Sequence, residues 1–258
     1  MEHKIAVVCG STQGIGKAIA FELARQGIRV VLVGRNEDGL RTVHQELSAL
    51  YGSQPMPLKA DFSRPNEVKL AIETWIAQGN QAQILINNSG GPKSGPIVDA
   101  DPSEFLAAFN QHLIGNHIMT QALVPGMKAS GFGRIINIIS TSVKQPLSNL
   151  GVSNTIRGAV ANWSKTMANE LGPFGITVNN ILPGATQTGR LEEIAKVRAE
   201  KTGETIEEIF NDMGQESPMK RIAQPEEIAS AAAFLASEAA GYINGVNLPV
   251  DGGRTKSL

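Results

Sequence analysis

The chain has one cysteine, two tryptophans and two tyrosines in 258 residues. Each scarcity removes a class of explanation. The single Cys9 cannot close an internal disulfide, and beside the apolar run 5–8 it reads as a buried, inert thiol in a reducing, cytoplasmic setting. No uninterrupted apolar run approaches the ~18 residues that a membrane-crossing helix needs. Residues 1–4 leave no room for a signal sequence ahead of the first strand, so neither a membrane partner nor export is expected. Lysine and arginine total 23 against 24 acidic residues, dispersed along the chain. A sustained basic face is therefore missing, and nucleic acid is not an expected partner. No metal site is expected either.

What is present is ordinary globular composition, 41% hydrophobic and 18% charged, at a length near the upper end of what one core supports. One domain over 1–258 is the expectation. Short β-branched runs fall at 5–8, 29–33, 57–59, 84–86, 134–139, 177–181 and 245–250, with helical patterns between most of them, as at 16–26, 65–78 and 153–172. Strands alternating with helices imply an α/β fold: a doubly wound, Rossmann-type, seven-stranded parallel sheet with helices on both faces. Residues 187–217 break the pattern. They form the longest insertion between a strand and its next helix, rich in charge and poor in large apolar residues, and read as a mobile substrate lid.

After the first strand comes Gly10-Ser11-Thr12-Gln13-Gly14-Ile15-Gly16, running straight into a helix. Glycines there let a backbone approach a pyrophosphate at a helix N-terminus, where free N–H groups and the macrodipole favour negative charge. The spacing G-x-x-x-G-x-G also suits a tight turn with no ligand. The second strand ends Gly34-Arg35, with no carboxylate to hold a ribose 2′-OH; Arg35 can instead pair with a 2′-phosphate, or be a solvated turn residue.

Further ordered motifs decide between these readings. Asp61 and Phe62 follow the third strand, then come Asn87-Asn88-Ser89-Gly90, Gly133-Arg134-Ile135-Ile136-Asn137 leading to Ser140, Pro183-Gly184 with Thr188, and Val250-Asp251-Gly252-Gly253. In these the chain resembles the short-chain dehydrogenase/reductase family nearly end to end, and most closely its 3-oxoacyl-acyl-carrier-protein reductase branch. The resemblance implies NADP(H) as cofactor. It implies that Asp61 meets the adenine amine, with Phe62 beside it. Asn88, Ser89, Gly90, Pro183 and Gly184 would line the cofactor groove, and Thr188 would bond the nicotinamide carboxamide. It also implies a cytoplasmic homotetramer, paired through the helices at 107–128 and 153–171, and a small carbonyl or alcohol substrate.

The resemblance fails at the proton-transfer site. Counting from the Gly133 motif, the family Ser is Ser140, but Ser153 stands where the family has Tyr and Arg157 where it has Lys. The family Asn falls at His112. A serine hydroxyl cannot replace a phenol as acid, and Arg157 can bind ribose hydroxyls or an oxyanion without relaying protons. Tyr51 and Tyr242 offer no rescue from their places in the chain. His112 could relay the proton, or only replace the Asn's structural hydrogen bonds. Lys144, four residues past Ser140, could donate a proton or attract an anion, or be an exposed loop lysine. Three functions stay open: an NADP(H)-dependent oxidoreductase with Ser140, Ser153, Arg157, Lys144 and His112 at its centre, a non-catalytic NADP(H)-responsive binder, or a lyase or isomerase in the same groove.

Overall fold

The computed structural model describes residues 4–257; residues 1–3, read above as too short for a signal, lie outside the described residues. Seven strands, β1 (Ile5–Cys9), β2 (Arg29–Gly34), β3 (Met56–Lys59), β4 (Ile84–Asn87), β5 (Gly133–Ile138), β6 (Ile176–Pro183) and β7 (Asn247–Val250), form one parallel sheet. Their order is β3-β2-β1-β4-β5-β6-β7. Among the described residues, nine α-helices lie between the strands: α1 (Gly14–Arg25), α2 (Glu37–Tyr51), α3 (Pro65–Ala77), α4 (Pro102–Phe109), α5 (Gly115–Ser130), α6 (Gly151–Leu171), α7 (Gly189–Thr202), α8 (Ile206–Gln215) and α9 (Pro225–Ala236).

The central strands read as continuous apolar runs because both their faces are covered. In β1, Ala6 and Val8 point into a core shared with Ile19 and Leu23 of α1 and Ile228 and Ala232 of α9. Val7 and Cys9 point the other way, toward Ile72 and Trp75 of α3 and Met119 and Met127 of α5. Burial pushes the Cys9 thiol far up, as suits an inert packing residue.

All seven expected strands form, with shifted ends. The last begins at Asn247, not 245, because Gly245 takes a left-handed φ of 72° and the Val246 N–H is drawn aside to Asn179 Oδ1. The helix expected from 153 starts two residues earlier, at Gly151. The helix expected over 107–128 is not uniform: a π-helical turn, Asn110–Ile114, joins α4 to α5.

One polar device lies inside the sheet. Asn87, Asn137, Asn180 and Asn247 are successive register partners on β4 to β7. Asn87 Nδ2 donates to Asn137 Oδ1 at 2.8 Å, Asn137 Nδ2 to Asn180 Oδ1 at 2.9 Å, and Asn180 Nδ2 to Asn247 Oδ1 at 2.8 Å. A one-residue slip of any of these strands would break the row, so the ladder pins the register in which their carboxyl ends emerge.

Candidate functional site

Between β1 and β4 the strand order reverses, and the carboxyl ends of β1, β4, β5 and β6 open onto the crevice where ligands bind in such sheets. Close packing shapes its floor. A Cβ on Gly16 would stand 2.1 Å from the Gly10 carbonyl oxygen, and Gly10 itself has φ of 61° with Asn88 against it. Asn88 spends its amide behind the loop, donating to the Cys9 and Gly10 carbonyls, both at 3.3 Å. Ser11 likewise turns inward, its buried hydroxyl on the Val33 carbonyl. Gln13 is exposed, Ile15 packs on the core, and α1 opens with no side-chain cap. The first N–H groups of α1 are thus left for an anion.

Opposite Gly14 stands Thr188, whose Cγ2 would lie 3.2 Å from a Cβ there, so the glycine loop and the end of β6 face each other. Thr188 caps α7 and donates to the Thr186 carbonyl. Pro183 ends β6, and the Gly184 N–H is tied to the Val250 carbonyl at 3.0 Å. At the other end of the crevice Gly34 explains the absent carboxylate: any side chain would meet Thr12 Cγ2 at 3.1 Å and Leu40 at 3.5 Å. Arg35 is exposed just beyond, near enough for its charge to act on Asp61. Partial burial raises the Asp61 carboxyl, but hydrogen bonds from the Ser63 N–H and hydroxyl, with Arg35 and Arg64, outweigh it and hold the group ionised. Phe62 is buried, its ring filling the space beside Gly115.

The π turn brings the second half of the site together. It aims Gln111 and His112 at the loop after β4: Gln111 donates to the Gly90 carbonyl at 2.9 Å, and His112 Nδ1 shares a 2.6 Å hydrogen bond with Ser89 Oγ. Sequence reasoning missed this pairing, although its signal was present. Ser89 stands where the short-chain dehydrogenase/reductase motif that the chain resembles has Ala, and His112 where it has Asn; these two departures touch. His112 is 1% exposed, and its Nε2 has no hydrogen-bond partner among the described residues. Burial first, then the charge of Arg157, hold the imidazole well below its ordinary pKa, so it is neutral at pH 7.

Ser140 caps a short 3-10 turn, Thr141–Val143, and accepts from the Ser142 N–H at 3.1 Å. Lys144 ends that turn, half-buried. Ser153 lies half-buried in the first turn of α6. Beside it Asn154 ties the preceding loop to the helix through the Leu147 carbonyl at 2.8 Å. Arg157 is buried and donates to the Ile138 carbonyl at 3.0 Å. Desolvation, then the charge of Arg190, pull its guanidinium down to about 10, which leaves it charged at neutral pH. Neither tyrosine is near: Tyr51 ends α2, edge-on to Phe21, and Tyr242 is fully exposed before β7. A cavity of about 240 Å³, lined by Met213, Met219, Val250 and Asp251, lies between α8 and the end of β7.

A family profile described as Enoyl-(Acyl carrier protein) reductase matches residues 10–255. The chain belongs to the short-chain dehydrogenase/reductase family. It is 32% identical to NADPH-dependent reductase BacG of Bacillus subtilis over 100% of both chains. It is 31% identical to the 3-oxoacyl-[acyl-carrier-protein] reductase FabG of Pseudomonas aeruginosa over 98% of each. The crystal structure of L-sorbose reductase from Gluconobacter frateurii, complexed with NADPH and L-sorbose, has a TM-score of 0.94 at 33% identity and covers 100% of this chain and 98% of that one. Among the described residues of this short-chain dehydrogenase/reductase, no helix is long and apolar enough to cross a membrane, and no cluster of His, Cys, Asp and Glu could hold a metal ion.

Proposed function

We propose that the protein is an NADP(H)-dependent oxidoreductase that moves hydride between the nicotinamide and a carbonyl or alcohol carbon. The observation that carries this reading is the glycine crevice, where a side chain on Gly10 or Gly16 would collide with the backbone or with Asn88, and one on Gly14 or Gly34 would be in tight contact with Thr188 or Thr12. A backbone this close to the surface of the crevice fits a dinucleotide. When bound, the cofactor supplies the hydride. The backbone N–H groups of residues 14–16 would hold its pyrophosphate, Arg35 its 2′-phosphate, Asp61 and Phe62 its adenine end, and Asn88, Ser89, Gly90, Pro183, Gly184 and Thr188 its nicotinamide half.

The proton-transfer site is rebuilt, not decayed. Ser140 and Ser153 would hold the substrate oxygen, and Arg157 would bind ribose hydroxyls or stabilise developing negative charge. His112 is neutral and buried, which suits a positioning residue bonded to Ser89 better than an acid. Lys144, at the rim next to Ser140, is the better proton donor of the two. Helices α7 and α8 would close over substrate as a lid at about 187–217 within a single cofactor-binding domain, 1–258.

Two separate apolar faces support a homotetramer, and the free, buried Cys9 suits a cytoplasmic setting. Of the helices expected to pair, the one at 153–171 exposes no large apolar residue among the described residues; Leu106 and Phe109 on α4 form one face, and Phe234 on α9 with the exposed Tyr242 mark the other. Two such faces, each covered across its own two-fold axis, would meet the requirement for closed tetrameric symmetry. The test of the activity is NADPH consumption across a broad panel of ketones and aldehydes, with the reverse reaction on alcohols. Turnover of any of these is the expected result, and binding of NADPH with no turnover of any would refute the oxidoreductase reading.

A further inference from the structure

A buried cation, Arg157, stands at the carboxyl end of β5, where it donates to the Ile138 carbonyl. Arg157 is 8% exposed. Of its five N–H donors, Nη1 is engaged by the Ile138 carbonyl, and no carboxylate pairs with it among the described residues. Buried guanidinium groups ordinarily have a counter-charge, because removing one from water is strongly unfavourable. Here the neighbouring charge is a second cation, Arg190.

Arg190 sits in the first turn of α7, two residues past Thr188, and reaches back across the crevice. Its Nη2 donates to the Pro92 carbonyl, and its Nε would lie 3.4 Å from a Cβ on Gly91. Its one carboxylate, Glu193 at 3.2 Å, is on the outer side of the helix and 69% exposed, where an ion pair contributes little. The loop 89–92 therefore has one guanidinium against Gly91 and Pro92, and is joined at Ser89 to His112, which feels the charge of the other. Arg157 reaches the Ile138 carbonyl at the end of β5, whose Asn137 is paired with Asn87 of β4, and Arg190 reaches Pro92 on the loop that continues β4, so two guanidinium groups lie at the carboxyl ends of neighbouring strands, a placement that fits a ligand bringing negative charge.

We infer that Arg157 and Arg190 form a clamp for a carboxylate or phosphate group carried by the substrate next to its reacting carbonyl. This rests on the carbonyl-reductase reading and narrows its substrate class. The planar forks of two arginines suit the two-oxygen face of such a group, and the small Gly90-Gly91 backbone leaves it room. The cofactor's pyrophosphate is the other anion that could reach Arg190, but the open N-terminus of α1 already provides for it.

The test compares oxo acids with their methyl esters as substrates for the full-length protein, using wild type, Arg190→Ala and Arg190→Gln, alongside NADPH affinity by fluorescence. The expected result is that wild type prefers the acids by roughly 10- to 100-fold in kcat/KM, as one or two charge-assisted hydrogen bonds provide. Both variants should raise KM for the acids to that of the esters and leave NADPH affinity within about twofold. Equal use of acids and esters by wild type overturns the proposal. So does a loss of NADPH affinity in the variants, which would assign Arg190 to the pyrophosphate. If no carbonyl compound turns over, the carbonyl-reductase reading fails, and the clamp is judged by inorganic phosphate alone. Phosphate should then raise the unfolding temperature of the NADPH-loaded wild type and not of the variants; no effect on wild type overturns the clamp.

Discussion

The contact between Ser89 and His112 makes two substitutions interdependent. Ser89→Ala would strand a buried imidazole that already has one unpartnered nitrogen, at a cost of about 1–3 kcal/mol. For a chain of this size that lowers Tm by roughly 2–4 °C per kcal/mol. His112→Asn alone should also cost stability, since the shorter amide leaves space behind the π turn and Ser89 without its partner. The pair Ser89→Ala with His112→Asn restores the family combination and should be less damaging than the sum, by about 1–2 kcal/mol. Thermal unfolding of the four proteins measures this. Losses that simply add, within about 0.5 kcal/mol, would refute the reasoning. The same set carries a pH signature. Because the folded His112 titrates below its unfolded value of about 6.5, the unfolded chain takes up the proton first as pH falls. Stability is therefore complete above pH ~6.5 and declines below it, by up to about 1.4 kcal/mol per pH unit, until the folded imidazole itself protonates. His112→Asn should flatten that decline between about pH 6.5 and 5. Carboxylates held low, such as Glu227 at about 2 through its bonds from Arg221, begin to matter only below pH ~4.5.

Arg35→Ala should raise the Kd for NADPH by about 10- to 100-fold and that for NADH by no more than about twofold, read by fluorescence titration; equal losses would mean that Arg35 does not contact the phosphate. The double substitution Ser153→Tyr with Arg157→Lys should abolish native turnover, because a phenol fills the space left by the serine and an ammonium cannot reproduce the buried fork; a gain of ordinary carbonyl reductase activity would instead show a decayed site. Light scattering at micromolar concentration should give a tetramer, and Leu106→Glu with Phe109→Glu should halve its mass; a monomeric wild type would contradict the two-face argument.

The periodicity of the chain was sufficient for the seven strands, since most are short apolar runs with a glycine or proline at one end. The glycine loop and Arg35 were legible for the same reason: local backbone constraints leave local marks. The site's inner wiring was not. Nothing local announces that residues 110–114 wind as a π turn, yet that turn is what brings His112 to Ser89. Arg190 read as one of many charges in a lid segment, because its reach to Pro92 spans 98 positions of sequence. The four asparagines of the ladder fall in strand runs dominated by apolar residues, and their purpose becomes visible only when the strands lie side by side.

That ladder also has a direction. Asn87, Asn137 and Asn180 each donate toward β7 and Asn137, Asn180 and Asn247 each accept from the β4 side, while Asn87 Oδ1, at the head of the row, accepts from nothing among the described residues. Four aligned dipoles polarise one another in the dry interior, and no member can turn over alone without placing donor against donor on one side and oxygen against oxygen on the other. The row is thus a line of dominoes: it stands in one sense or the other, and a change at the β7 edge would have to pass through all four amides to reach the strand that leads into Ser89.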